Sequence, residues 1–275
     1  MIVDYHMHLR GPAEGREGPI EHTVAAVERF AEAAAARGVD EIGFTEHVYY
    51  FREFDGLVEH PYQRSKLGHD LDSYVDAVSE GKRRGLPVKL GIEVDWVPGR
   101  EGELADLLAP YPWDFLLGSV HIVDGDAVDM EPGLWARHSV EDVWARYFAA
   151  VRHLAASGLV DVLAHLDLAK VFGRRPAPDV VTAHHAEVAA AVGEAGIAVE
   201  VSTAGLRKPV GELYPAPELL ARCRAGGAAA TLASDAHVAH DVGRDFPAAL
   251  DLLRGAGYET VTVFEGRVAR QEPLG

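Results

Sequence analysis

Short apolar runs and longer amphipathic stretches alternate along almost the entire chain. Runs at 2–5, 41–45, 88–94, 115–120, 160–164, 198–201 and 228–233 have the length and residue types of buried strands, and most are separated by segments of helical period. In 23–37, Val24, Val27, Phe30 and Ala31 recur at helical spacing and Gly38 supplies the stop. A second helix is predicted over 73–84, ended by Gly85-Leu86-Pro87, and a short one over 101–108. Ser139, with Asp142 three residues on, reads as the cap of a helix over 140–157 whose apolar stripe is Val143, Tyr147, Val151 and Leu154. Further helices are predicted over 179–195, 217–225 and 246–255, the last leading to an apolar run at 260–264. The segment 48–72, rich in aromatic and charged residues, is too irregular for a single element.

Such alternation predicts an α/β fold with a parallel sheet, closed as a barrel or doubly wound. Two features favour the barrel. Chemically capable residues end almost every run, as they do where a barrel gathers its site at the strand carboxyl ends; an open sheet concentrates its site at one switch point. No glycine-rich phosphate loop follows the first run. A single barrel domain over 1–275 is expected, with 48–72 as a lid or substrate-selecting segment.

Composition narrows the chemistry. With 48% hydrophobic residues among 275, the chain can bury a large core, and its one cysteine, Cys223, excludes an internal disulfide and a cysteine-rich zinc module. Any metal must therefore be held by nitrogen and oxygen. A formal net charge of −17 sets the surface against nucleic-acid backbones, so no nucleic-acid partner is expected. A phosphorylated substrate would need local compensation from metal ions and a few basic groups. The first residues run straight into a strand without a basic and apolar leader, and no stretch approaches 18 uninterrupted apolar residues. A cytoplasmic protein that does not span a membrane is expected. The pattern specifies no oligomeric state.

The run ends carry the candidate chemistry: His6 and His8, Thr45-Glu46-His47, Glu93 with Asp95, His121, His165 with Asp167, and Asp235 with His237. In a strand, side chains two apart share a face, so His6 and His8 can bind one ion, as can Asp235 and His237. Glu93 stands in an apolar strand where a barrel core would prefer no carboxylate. One such residue reads equally as a satisfied ion pair; six histidines and two acids on one rim read as a metal cluster. The other histidines, His22, His60, His69, His138, His153, His184, His185 and His240, fall on helices or loops and are expected to be solvated or capping.

In the stretches Asp4-Tyr5-His6-Met7-His8, Phe44-Thr45-Glu46-His47, Gly91-Ile92-Glu93-Val94-Asp95, Leu117-Gly118-Ser119-Val120-His121, 165–173, 202–209, 214–217 and Ser234-Asp235-Ala236-His237, the chain resembles the PHP (polymerase and histidinol phosphatase) superfamily. The likeness is greatest to its monofunctional histidinol-phosphatase branch and runs over nearly the whole chain. The resemblance implies a distorted, TIM-like (β/α)7 barrel holding two or three divalent ions, with zinc, manganese and iron all compatible. His6, His8, Glu93 and Asp235 would hold the first ion, and Glu93 would bridge to a second on His121 and His165. His47 and His237 would hold a third with one further ligand. Pro12 stands where the family pattern has a histidine for that purpose, so the third ion would lean on water and phosphate, or on Glu14 or Glu17. Glu46 replaces the usual aspartate.

The activity so implied is hydrolysis of a phosphomonoester, L-histidinol phosphate in histidine biosynthesis, by a hydroxide shared between two ions. Arg207, Lys208 and Lys170 are the cationic candidates for the phosphate, Arg207 through its fork geometry, and Glu93, Asp235 and Arg207 are the expected catalytic set. From 48–72, Tyr49, Tyr50, Phe51 and Phe54 are expected to stack on a flat group or to form a lid cluster. Glu53, Asp55 and Glu59 are the acids expected to meet an amine. Alternatives are a PHP phosphatase or phosphodiesterase for another small phosphoester, a non-catalytic metal-binding module, and a more distant amidohydrolase; the last usually lacks the bridging glutamate.

Overall fold

The computed structural model describes residues 1–13, 17–130 and 133–275. Seven parallel strands form one sheet in chain order: β1 (Val3–Asp4), β2 (Glu41–Phe44), β3 (Val88–Asp95), β4 (Phe115–Ser119), β5 (Val162–Leu163), β6 (Ala198–Ser202) and β7 (Ala230–Ala233). The sheet curls until its edges meet. The Tyr5 N–H donates to the Leu232 carbonyl at 2.9 Å and the His8 N–H to that of Ala236 at 2.9 Å, giving a nearly closed barrel. All of β3 is buried, as expected of a parallel strand covered on both faces.

Among the described residues, eight α-helices accompany the strands: α1 (Val24–Ala36), α2 (Pro61–Arg64), α3 (Leu71–Arg83), α4 (Glu101–Leu108), α5 (Val140–Ala156), α6 (Pro178–Ala195), α7 (Pro217–Ala225) and α8 (Phe246–Gly255). Their starts follow local capping chemistry. Thr23, Asp70 and Ser139 accept the N–H groups of Ala26, Ser73 and Asp142, which satisfies donors the first turn leaves orphaned. The Asp70 cap is why α3 begins earlier than the periodicity predicts. The run at 160–164 yields only the short β5, because at His165 the backbone turns out of the strand with φ of 27°.

The barrel is plugged at its amino-terminal end. Gly43 and Gly91 sit on adjoining strands beside Phe115; a Cβ on Gly91 would lie 2.6 Å from that ring, so only glycine leaves it room. Phe115 stacks on Tyr5 and on Phe264, at centroid separations of 5.1 and 5.6 Å. Phe264 belongs to a hairpin of β8 (Thr260–Glu265) and β9 (Val268–Pro273). Its turn is tied to residues just before the strands: the Arg267 N–H donates to the Asp114 carbonyl and its guanidinium to Asp161. The run 260–264 announces β8, but β9 is exposed and polar and carries no apolar pattern. The carboxyl ends of the strands remain for a cleft.

Residues 48–72 form two 3-10 turns, Val48–Tyr50 and Arg52–Leu57, followed by α2. Phe51 and Phe54 are fully buried, Phe51 against Tyr74 of α3, so they serve packing and not the cleft. No helix among the described residues is long and apolar enough to cross a membrane.

Candidate metal centre

The eight residues singled out at the strand ends converge. His6 and His8 leave β1 on one face; their Nε2 atoms lie 3.3 and 3.7 Å from Glu93 Oε2, and 3.6 and 3.4 Å from Asp235 Oδ1. A tetrahedral ion with arms of about 2.1 Å has ligand-to-ligand edges of roughly 3.4 Å, so these four atoms have the spacing of one coordination shell. The other Glu93 oxygen, Oε1, lies 3.3 Å from His165 Nε2 and 3.6 Å from His121 Nε2. Glu93 thus turns one oxygen to each of two histidine pairs.

Chemically the cluster is unfinished by protein groups alone. His6 Nε2, both His8 ring nitrogens and Glu93 Oε2 are buried without a hydrogen-bond partner among the described residues. Buried polar atoms left so are costly unless something else binds them, and divalent ions suit this donor set. Three-residue groups able to share an ion are His6–His8–Asp235, His6–Glu93–His165, His47–Glu93–His121 and His8–His47–His237. Charge is arranged to match. Burial opposes ionisation of Glu93, yet His47, His6 and His121 hold it well below the usual carboxylate range. Burial acts likewise on Asp235, and His6 overrides it. His165 and Asp235 both carry positive φ, 27° and 53°, strained backbone at two strand ends that aim side chains into the cluster.

Buried acids orient the imidazoles: Asp95, already noted beside Glu93 in the sequence, and Glu200, absent from the expected site. Glu200 on β6 binds His6 Nδ1 at 2.7 Å through one oxygen and accepts the His165 N–H at 3.0 Å through the other. Asp95 binds His121 Nδ1 at 2.7 Å and accepts from Gln63. Such contacts fix ring tautomer and direction and raise ligand basicity. The sequence held a signal for Glu200: Val199-Glu200-Val201 repeats the apolar–carboxylate–apolar form of Ile92-Glu93-Val94. Replacing Glu200 with glutamine is expected to weaken metal binding about 10- to 100-fold, read by titration of the stripped protein with zinc or manganese. Unaltered affinity would remove Glu200 from this role.

The third group departs from the expected arrangement. Pro12 is exposed, and the nearby Arg10 is fully buried, donating to both Glu46 oxygens at 2.8 and 3.0 Å and to the Tyr50 hydroxyl at 3.0 Å. Glu46, the longer acid, reaches this guanidinium and approaches His8 Nδ1 at 3.5 Å. His47 Nδ1 points to Glu93 Oε2 at 2.7 Å, and His8 completes a set with His47 and His237. Glu17 lines the same cleft, whereas Glu14 lies outside the described residues. His22 and His185, expected at the surface, have buried side chains, His22 near Glu46 and His185 stacked on Trp144.

The cluster opens into a cleft of about 320 Å³ lined also by Tyr49, Tyr50, Tyr62, Gln63, Asp129, Met130 and Lys208. Tyr49 stacks on His47 at 4.5 Å. Arg207 borders an adjoining recess with Lys208, Asp235 and His237, and is anchored by the Ser234 and Thr203 carbonyls. Lys170 is not part of this wall. It is buried, 2.9 Å from Asp167, and donates to the Leu213 carbonyl, a structural ion pair that sequence adjacency to His165 could not reveal. Glu53, Asp55 and Glu59 also lie outside the cleft lining, Asp55 pairing with Arg64.

A PHP domain family model matches residues 19–204. A probable histidinol-phosphatase of Deinococcus radiodurans is 35% identical over 267 residues, spanning 95% of this chain and 96% of its own. The histidinol-phosphatase of Lactococcus lactis is 23% identical, covering 96% and 94%. Among solved structures, histidinol phosphate phosphatase from Lactococcus lactis, complexed with zinc, L-histidinol and phosphate, superposes with a TM-score of 0.76 at 21% identity over 98% of both chains. A putative histidinol phosphatase from Listeria monocytogenes gives 0.74 at 21% identity, covering 90% and 99%.

Proposed function

Because the chain belongs to the PHP domain family, we propose that it is a metal-dependent phosphomonoester hydrolase that converts L-histidinol phosphate and water to L-histidinol and phosphate, a step of histidine biosynthesis. The observation that carries this reading is Glu93, whose two oxygens are each spaced for a shared ion with a different pair of histidines inside a cleft. His6, His8, Glu93 and Asp235 would hold one ion, Glu93, His121 and His165 a second, and His47 and His237 a third with His8 or Glu17. Divalent ions there would supply Lewis acidity and a water acidified to near neutrality.

The protein groups position and neutralise. Arg207 and Lys208 would bind the phosphoryl oxygens, the first as a fork held by backbone carbonyls, the second as a point charge. Glu200 and Asp95 hold the His6 and His121 imidazoles in place, so that little reorganisation is needed as charge develops. Hydrolysis breaks the ester P–O bond and requires a proton on the departing alkoxide. The attacking water releases that proton, and Asp235, held ionised by His6 and lining the cleft, is the proposed relay to the alkoxide. Tyr49 would contact the organic part of the substrate.

Phosphate release from L-histidinol phosphate, sugar phosphates, nucleotides and p-nitrophenyl phosphate, with zinc or manganese added, tests the reading. Turnover of histidinol phosphate far above the rest is expected. Preference for another ester would move the substrate within the family, and no release from any ester would leave a non-catalytic metal-binding module.

A further inference from the structure

We propose that Asp129 selects substrates bearing an ammonium group, pairing with that cation while the phosphoryl end lies against the histidine–carboxylate cluster. This deepens the phosphomonoesterase reading and rests on it. The substrate class is the phosphomonoester of an amino alcohol that also carries a flat or apolar group.

Among the described residues, two acids beyond Glu93 and Asp235 line the cleft, Glu17 and Asp129. Glu17 lies 3.9 Å from Lys66, whereas the Asp129 carboxylate has no ion pair or hydrogen bond among the described residues. Asp129 is half-buried, and a carboxylate kept unpaired beside a cleft is a ready partner for a ligand cation. Its place is fixed by its neighbour. The Val128 N–H donates to the His121 carbonyl at 2.8 Å, and the Val128 carbonyl accepts from Trp135 Nε1 at 2.7 Å. The Asp129 backbone is therefore anchored next to that of a proposed ligand, after the small hairpin Ile122–Val123 and Asp126–Ala127. Its field reaches the cleft side chains Tyr62 and His121.

The surface beside it is apolar. Tyr62 and Met130, exposed by 37% and 39%, line this cleft, and among the described residues Val268 is the one other large hydrophobic so exposed. They offer a bed for the carbon skeleton of a substrate, and Tyr62 a ring face for a cation or a flat group. Lys208 supplies positive charge in the same cleft, so the wall is complementary to a molecule carrying both an anion and a cation.

The test compares L-histidinol phosphate with its deamino analogue, and phosphoethanolamine with ethyl phosphate, as substrates of the metal-loaded protein and of Asp129→Asn. The wild type is expected to favour the aminated member of each pair, and Asp129→Asn to collapse that ratio of kcat/KM about 10- to 100-fold, chiefly through KM. A purely structural role would depress both members together and leave the ratio intact, which overturns the proposal. Wild-type indifference to the amine overturns it too, even if the variant fails to fold. If histidinol phosphate is inert while the simple pair retains an Asp129-dependent preference, the histidinol reading fails and the role of Asp129 stands.

Discussion

Glu93→Ala is expected to lower kcat/KM for the preferred phosphoester by more than about 10³-fold and to reduce bound metal by at least one ion per chain. Removing a single charge-stabilising donor from an active site costs about 10²- to 10³-fold, and Glu93 would serve two ions at once. Its oxygens stand 2.7–3.7 Å from five histidine nitrogens, so alanine strips a shared ligand from both groups and leaves those imidazoles facing a buried gap. Uncatalysed phosphomonoester hydrolysis is among the slowest known reactions, which makes loss of charge stabilisation the dominant effect. Steady-state phosphate release and elemental analysis of the purified variant check the two halves. Full turnover in Glu93→Ala would refute the bridging assignment.

Stripping metal with a chelator should abolish turnover and lower the Tm by on the order of 10 °C, taking an ion held at about a thousand times its Kd as worth about 4 kcal/mol. The loss should depend on pH. Without ions, the buried carboxylates must be neutralised by protonated imidazoles. Burial opposes charging of His47, but Glu93 and Asp95 outweigh it and push it up to about 10. A histidine raised in the folded state stabilises fully below its unfolded value near 6.5 and loses that contribution as pH rises toward 10. The metal-loaded protein lacks this dependence because its imidazoles carry no proton. The gap in Tm between loaded and stripped protein should therefore widen from pH 6.5 to 10, measured by thermal melts at constant ionic strength. A constant gap would show that His47 exchanges no proton on metal binding.

The barrel strands and the rim histidines were legible because both obey short-range rules. An apolar run of strand length marks a buried parallel strand, and a chemically capable residue at its end marks the rim. Where these rules stop, so did the reading. Lys170 and Arg207 each follow a strand and look alike in sequence, yet Asp167 draws one into the core while backbone carbonyls hold the other beside Asp235. Phe51 and Phe54 shared an aromatic cluster with Tyr49, and burial parted them, Phe51 against Tyr74 of α3. The Arg10–Glu46 pair joins positions 36 apart across two strand ends, a coupling that no local pattern encodes. Asp129 follows a hairpin too short to show any period, so its place beside His121 emerges only from tertiary hydrogen bonds.

The barrel's last junction has a consequence for how the protein is made. β1 and β7 are joined by few backbone bonds, and four of the proposed ligands sit on the two lips of that joint: His6 and His8 on one, Asp235 and His237 on the other. The first ion would therefore bridge the two edges of the closed sheet. His6 and His8 are synthesised long before Asp235, so this four-residue shell stays incomplete until the seventh strand has been made.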